Sequence, residues 1–277
     1  VKYSNTVVVH RGRAHVDDFL AACVCIHHTR FPLFRTDATL EMLNDSSCWV
    51  LDQGLRFDPE LHNFDHHHLK DQICSLTMLL DHLYPEPYRQ HIPQLQYIEI
   101  HDSVGSSKAA KFAGLPYEGL EIASSLIQQL MLKAFSSIED RVPDSTYSFM
   151  SSIGSELCCR IEQMPSLFEQ LNFGARLLDF SGMKVLDVTG CNAAEPDRLP
   201  TKSWCEKNGM SPSVILNRDP RNLGSYRMVS LDKSVRFICN PSCEYTHPSG
   251  FLTVFAKLDD WQNILSLAQS ENKKSRP

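Results

Sequence analysis

Two short apolar runs constrain this chain more than any other feature. Thr6-Val7-Val8-Val9 is almost wholly β-branched and ends on His10, and Cys48-Trp49-Val50-Leu51 ends on Asp52. Runs of this length and kind read as buried strands. Between them, Asp17 to Arg30 carries Phe19, Leu20, Cys23, Val24 and Ile26 at helical spacing. The acidic pair Asp17 and Asp18 suits the positive end of a helix dipole. Leu76 to Leu83 reads as a further helix, and Tyr97-Ile98-Glu99-Ile100 as a third strand ending on His101 and Asp102. Strands alternating with helices predict an α/β fold, here an N-terminal domain with a parallel sheet and flanking helices. In such sheets sites form beyond the carboxyl ends of the strands, where this reading puts His10, Asp52 and Asp102.

The later chain changes character. Glu118 to Arg141 reads as one long helix, interrupted by Val142-Pro143-Asp144-Ser145. That interruption divides the chain into a domain over 1–142 and a second over 146–277. Ser148 to Leu178 is helical again, bent or broken near Met164-Pro165. After Gly182 come strand-like pieces at Val185–Val188, Val214–Leu216, Tyr226–Val229, Val235–Ile238 and Phe251–Phe255, then a closing helix over Leu258–Ala268. The expected second body is a smaller α/β domain joined by long helices.

Composition excludes some functions. A formal net charge of −6 argues against gripping duplex nucleic acid chiefly through its phosphates. It does not argue against short anionic substrates, because bound metal ions add positive charge that the count omits. No apolar run approaches the ~20 residues needed to cross a bilayer, so no membrane partner is expected. Val1 to Val9 lacks the basic-then-apolar pattern of a secretory signal. Ten cysteines form no disulfide framework, and most lie in apolar contexts. An intracellular, reducing compartment is the expectation, with cytoplasm, nucleus and mitochondrion undistinguished. Cys191, Cys205, Cys239 and Cys243 are either free thiols, the favoured reading, or a structural zinc set. Oligomeric state is not legible.

Eleven of the twelve histidines fall within the first 101 residues, densest at Asp65-His66-His67-His68. Upstream stands His10-x4-His15-x-Asp17, followed by Asp52; Asp102 lies downstream. Taken singly these residues are surface histidines or capping aspartates. Together, at the ends of apolar runs, they are what a two-metal site needs: imidazoles suit transition metals, and carboxylates can bridge two cations. His27, His28, His82 and His91 lack that context and read as surface or structural groups.

Asp65-His66-His67 resembles the motif that names the DHH phosphoesterases. The spacing is similar to one branch, the melanocyte-proliferating-gene (MYG) family of metal-dependent hydrolases and 3′–5′ RNA exonucleases. That branch opens with His-x4-His-x-Asp, as His10, His15 and Asp17 do. Its next motifs resemble Asp52, Asp58-Pro59, His62 and Asp65-His66-His67, and its late ones Tyr226-Arg227-Met228-Val229 and His247-Pro248-Ser249-Gly250-Phe251. Arg11 stands where the family has Asn, Ala14 where it has Phe, and Gly105 where it often has an acid.

The resemblance implies a two-metal domain, with His10, His15 and Asp52 on one ion and Asp17, Asp52, His66 and Asp102 on the other. Asp52 would bridge two divalent cations, Mn²⁺ favoured and Mg²⁺, Zn²⁺ or Co²⁺ possible. Ions about 3.5 to 4 Å apart can share an activated water and stabilise charge on a phosphoryl oxygen. His67 would lie beside the scissile phosphate, and Asp65 would orient an imidazole. A DHH-associated substrate domain would follow, binding phosphate or a terminal nucleotide through His247, Ser249 and Gly250, with Arg227 as a phosphate partner. The implied activity is a phosphodiesterase acting from the 3′ end of RNA or on short oligonucleotides. Alternatives are a pyrophosphatase, a small-nucleotide phosphatase, or a non-catalytic metal-binding regulatory protein.

Overall fold

The computed structural model describes residues 3–84, 92–114, 126–191 and 198–274. The fold is mixed α/β and divides into two compact units, Val1–Glu162 and Gln163–Pro277, each with a six-stranded sheet. Among the described residues no helix is long and apolar enough to cross a membrane.

In the first unit, β1 (Thr6–Val9), β2 (Leu33–Arg35), β3 (Cys48–Leu51), β4 (Phe57–Asp58), β5 (Asn63–Phe64) and β6 (Asp140–Arg141) lie in the order β4-β5-β3-β1-β2-β6. The four inner strands are parallel, with Val8 opposite both Phe34 and Val50, and the short outer strands β4 and β6 are antiparallel. Strands covered on both faces need unbroken apolar runs, which is why Val7, Val8, Val9, Val50 and Leu51 are all completely buried. Helix α1 (Val16–Thr29) packs against β1 and β3, and also meets α3 (Ser75–Leu83), α4 (Pro93–Val104) and α6 (Leu126–Ser136). Short helices α2 (Leu40–Leu43) and α5 (Ser106–Phe112) complete the unit, and α7 (Asp144–Gly174) leaves it.

The structure corrects three sequence expectations in and beside this unit. Tyr97-Ile98-Glu99-Ile100 is not a strand but the middle of α4. Pro93 opens the helix, and the inward-facing Ile92, Leu95, Glu99 and Asp102 recur at helical spacing, a period that four residues cannot reveal. The helix expected over Glu118–Arg141 ends at Ser136 and is followed by β6; residues 115–125 lie outside those described. The helix expected over Ser148–Leu178 begins earlier, at Asp144. It runs through Pro165 without a break in assignment and ends at Gly174, giving way to a strand. The division between the two compact units falls inside α7, between Glu162 and Gln163.

In the second unit, β7 (Arg176–Phe180), β8 (Met183–Asp187), β9 (Val214–Asp219), β10 (Asn222–Ser230), β11 (Cys243–Thr246) and β12 (Leu252–Phe255) form a sheet ordered β11-β12-β10-β9-β8-β7. Among the described residues of this sheet only β8 and β9 pair in parallel. Val185, Val214, Leu216, Met228 and Phe255 form a core with Ile264, Leu265 and Ala268 of α9 (Trp261–Lys274). Helix α8 (Arg198–Lys207) lies between β8 and β9 in the chain. Val235–Ile238, expected as a strand, is a loop. Its Val235 and Phe237 are still core residues, which explains the alternating pattern that imitates a strand.

Candidate metal centre

The site begins where β1 and β3 end. His10 follows β1, and its Nδ1 lies 2.5 Å from the Arg11 carbonyl oxygen. A carbonyl can only accept, so this contact places the proton on Nδ1 and leaves Nε2 to act as a ligand. That Nε2 lies 2.8 Å from Asp18 Oδ2 and 3.4 Å from Asp52 Oδ2. Asp52 follows β3 with φ at 55°, a left-handed conformation in which aspartate is among the better-tolerated residues. Ser75 Oγ donates to Asp52 Oδ1 at 2.8 Å. His66 Nε2 lies 2.8 Å from Asp102 Oδ2 and 3.4 Å from Asp52 Oδ1, and His15 Nδ1 lies 3.6 Å from Asp102 Oδ1.

Three neighbouring groups of ligand atoms result: His10 with Asp18 and Asp52; Asp52 with His66 and His67; and His15 with Asp17 and Asp102, the last joined to the others by the His66–Asp102 contact. All six metal residues expected from sequence thus converge, with Asp52 shared by two of the groups. The partnerships differ from the implied set in three respects, one of them that His67 joins Asp52 and His66. His10 shares its group with Asp18, while His15 shares another with Asp17 and Asp102. Asp18 was missed because an acid in the first turn of a helix already has an explanation: its Oδ1 accepts from the His15 backbone N–H at 3.1 Å. The signal was the adjacency of two acids, which a capping role alone does not need.

These residues suit divalent cations. Both carboxylate oxygens of Asp17, together with Asp18 Oδ2, His66 Nε2 and Asp102 Oδ2, are buried without a well-aligned hydrogen-bond partner. Buried polar atoms are seldom left so, and five of them cluster here. Their titration carries the same message. The Asp18 and Asp52 carboxylates raise His10 to about 10. Burial opposes charge on His66, but Asp102 and Asp52 outweigh it and raise that ring to about 10 as well. Burial also works against ionised Asp52, yet contacts from His10, His66 and Ser75 hold it down at about 2. Asp17, with no such relief, is pushed well above the carboxylate range by burial and then by the charges of Asp52 and Asp102. Asp17, Asp18, Asp52 and Asp102 crowd four carboxylates together, a charge that two divalent ions would neutralise.

Second neighbours hold the ligands. Asp65 is completely buried; its Oδ1 lies 2.6 Å from His67 Nδ1 and accepts from the His67 backbone N–H, while its Oδ2 accepts from Leu55 N–H at 2.6 Å. It therefore orients the His67 imidazole. Arg35 is completely buried, donating to the carbonyls of His10, Gly12 and Phe135, with its guanidinium 4.5 Å from the centre of the Phe135 ring. Ser136 Oγ accepts from Ala14 N–H at 2.8 Å. Arg35 and Ser136 together tie the His10–His15 loop to α6. Nothing local marks this arginine, since most arginines are exposed.

The departures also have places. Arg11 donates to Thr36 Oγ1 at 3.2 Å, while its carbonyl holds His10. Gly105 has φ 98° between α4 and α5, a backbone that disfavours the acidic residue expected there. In the second unit, His247 Nδ1 lies 2.8 Å from Ser249 Oγ in the turn between β11 and β12. Gly250 has φ 74° and so little room that a Cβ would meet Arg236 and the Phe237 carbonyl. Arg227 lies in β10, donating to Asn217 Oδ1 on β9 at 3.0 Å. All ten cysteines are free, and no cysteine belongs to a possible metal group among the described residues.

No protein-family model matches the chain, and no curated protein is detectably similar in sequence. Solved structures similar to it include a pGpG-specific phosphodiesterase, PggH, of Vibrio cholerae. At 10% identity and a TM-score of 0.30, that match covers 98% of this chain and all of the other. RecJ of Thermus thermophilus in complex with Mn²⁺ matches at the same identity and TM-score over 98% of this chain, which spans about half of RecJ (53%). At such values neither likeness speaks to this chain's chemistry, which rests on its own side chains.

Proposed function

We propose that this chain is a two-metal-dependent phosphodiesterase of the DHH type. Within that class we propose the MYG-like activity, 3′–5′ exonucleolytic hydrolysis of RNA or short oligonucleotides. The observation that carries the reading is the set of overlapping ligand groups around Asp52, with unsatisfied carboxylate oxygens buried beside them. A pair of cations sharing Asp52 would activate water and offset charge on a phosphoryl oxygen, Mn²⁺ fitting the mixed imidazole and carboxylate donors. His67, oriented by Asp65 and half-exposed, is the side chain we assign to the scissile phosphate, as hydrogen-bond donor or acid. The ten free thiols are in keeping with a reducing compartment, where we place the protein.

The deciding experiment incubates Mn²⁺-loaded protein with end-labelled short RNA, an Asp52→Asn control, and a panel including pyrophosphate and dinucleotides. Release of mononucleotide by the wild type but not by the control supports the reading. Turnover of pyrophosphate alone would replace it with a pyrophosphatase. Bound metal with no turnover of any phosphoester would replace it with a regulatory role.

A further inference from the structure

A cavity of about 720 Å³ opens beside the metal cluster, walled by the start of α1, by α4 and by α6. Its inner wall is His15, Asp17 and Asp102, one of the three ligand groups. Its outer walls have different chemistry. Tyr97 and His101, one turn apart on α4, bring their rings to 6.0 Å between centroids. Gln128 on α6 offers an amide, and Arg13 and Lys133 are exposed cations with no acidic partner among the described residues.

We propose that this cavity seats the terminal nucleoside of the substrate, with Tyr97 and His101 as ring faces for the base and Gln128 for its edge. The proposal rests on the phosphodiesterase reading and names its substrate class: a single-stranded end, one nucleoside deep. Unstacked bases are recognised by aromatic faces and by side-chain amides that pair with their edges. A volume of about 720 Å³ lies within the range of small-ligand sites and is far too small for a duplex. Arg13 and Lys133 supply positive charge at the cavity wall, so recognition here does not require a basic surface. That accords with a chain of net charge −6. With about two phosphate contacts, the affinity should fall with salt at a logarithmic slope of only about −1 to −2.

The test is calorimetric titration of the metal-loaded full chain with adenosine 5′-monophosphate and with ribose 5-phosphate, which lacks the base. The base should strengthen binding by about tenfold or more, in line with stacking on an aromatic face. Leu132→Trp, which fills the cavity, and Tyr97→Ala, which removes a ring, should each weaken adenosine 5′-monophosphate about tenfold at unchanged metal stoichiometry. Equal affinity for the two ligands would overturn the proposal, as would nucleotide affinity unmoved in both variants. Hydrolysis of a dinucleotide, followed alongside, reports on the catalytic reading separately. Wild-type protein that binds the nucleotide as described but hydrolyses nothing would refute the activity and leave the cavity assignment standing.

Discussion

Loading the centre with metal should expel protons, and the number follows from the geometry. Without metal, the Nε2 atoms of His10 and His66 each face two carboxylates, which keep both rings protonated up to about pH 10. An imidazole must be neutral to ligate, so at pH 7 a metal has to displace a proton from each ring. Asp17, whose carboxyl is pushed well above the usual range, adds a further fraction if it is still protonated. Binding should therefore release about two to three protons per chain, and apparent affinity should rise at least about a hundredfold per pH unit near neutrality. The assay is titration with Mn²⁺ in PIPES and in Tris at one pH. The slope of the observed heat against buffer ionisation enthalpy counts the protons. His10→Ala should lower that count by about one. A wild-type slope near zero would mean that the ions bind elsewhere or that the rings are neutral, and the account of the cluster would be wrong.

Other consequences are as direct. In chelator-treated protein, folded pKa values of about 10 for His10 and His66, against 6.5 when unfolded, give stability that is fully present below about pH 6.5. That stability is lost as pH rises through about 10, so the melting temperature of metal-free protein should fall at alkaline pH, whereas metal should protect most there. Arg35→Met should cost about 3 to 5 kcal/mol in urea denaturation, because the carbonyls of His10, Gly12 and Phe135 lose the charged donor that a completely buried side chain supplies. An unchanged midpoint would refute that role. Gly154→Ala should destabilise by at least about 1 to 3 kcal/mol, since a Cβ there collides with the backbone carbonyl of Cys23 on α1. Gly105→Asp, restoring the acid that the resemblance leads one to expect, should cost about 1 to 2 kcal/mol through its positive φ, with circular dichroism and thermal melting as readouts.

The sites of β1, β3, α1 and α3 were legible because each is either buried on both faces or strongly periodic. The same holds for His10 and Asp52, which stand one residue past their strands. Asp102 was identified as a ligand for a reason that does not survive: it comes from a helix, not from a strand end. The family resemblance also implied it, while the element that delivers it could not be read from four residues. Asp18 and Arg35 were hidden for a common cause, since an acid in a first helical turn and an arginine beside apolar residues each have an ordinary local reading. Only burial and the direction of their side chains distinguish them.

Residue identity and local period thus determined that imidazoles and carboxylates would collect near the ends of buried parallel strands. Tertiary structure decided which carboxylate faces which ring, because partners from β1, β3, α1 and α4 are far apart in sequence and their separations depend on how those elements pack. Pattern records what each segment buries; it holds no information on the ångström-scale distances between segments, and metal chemistry is set by those distances.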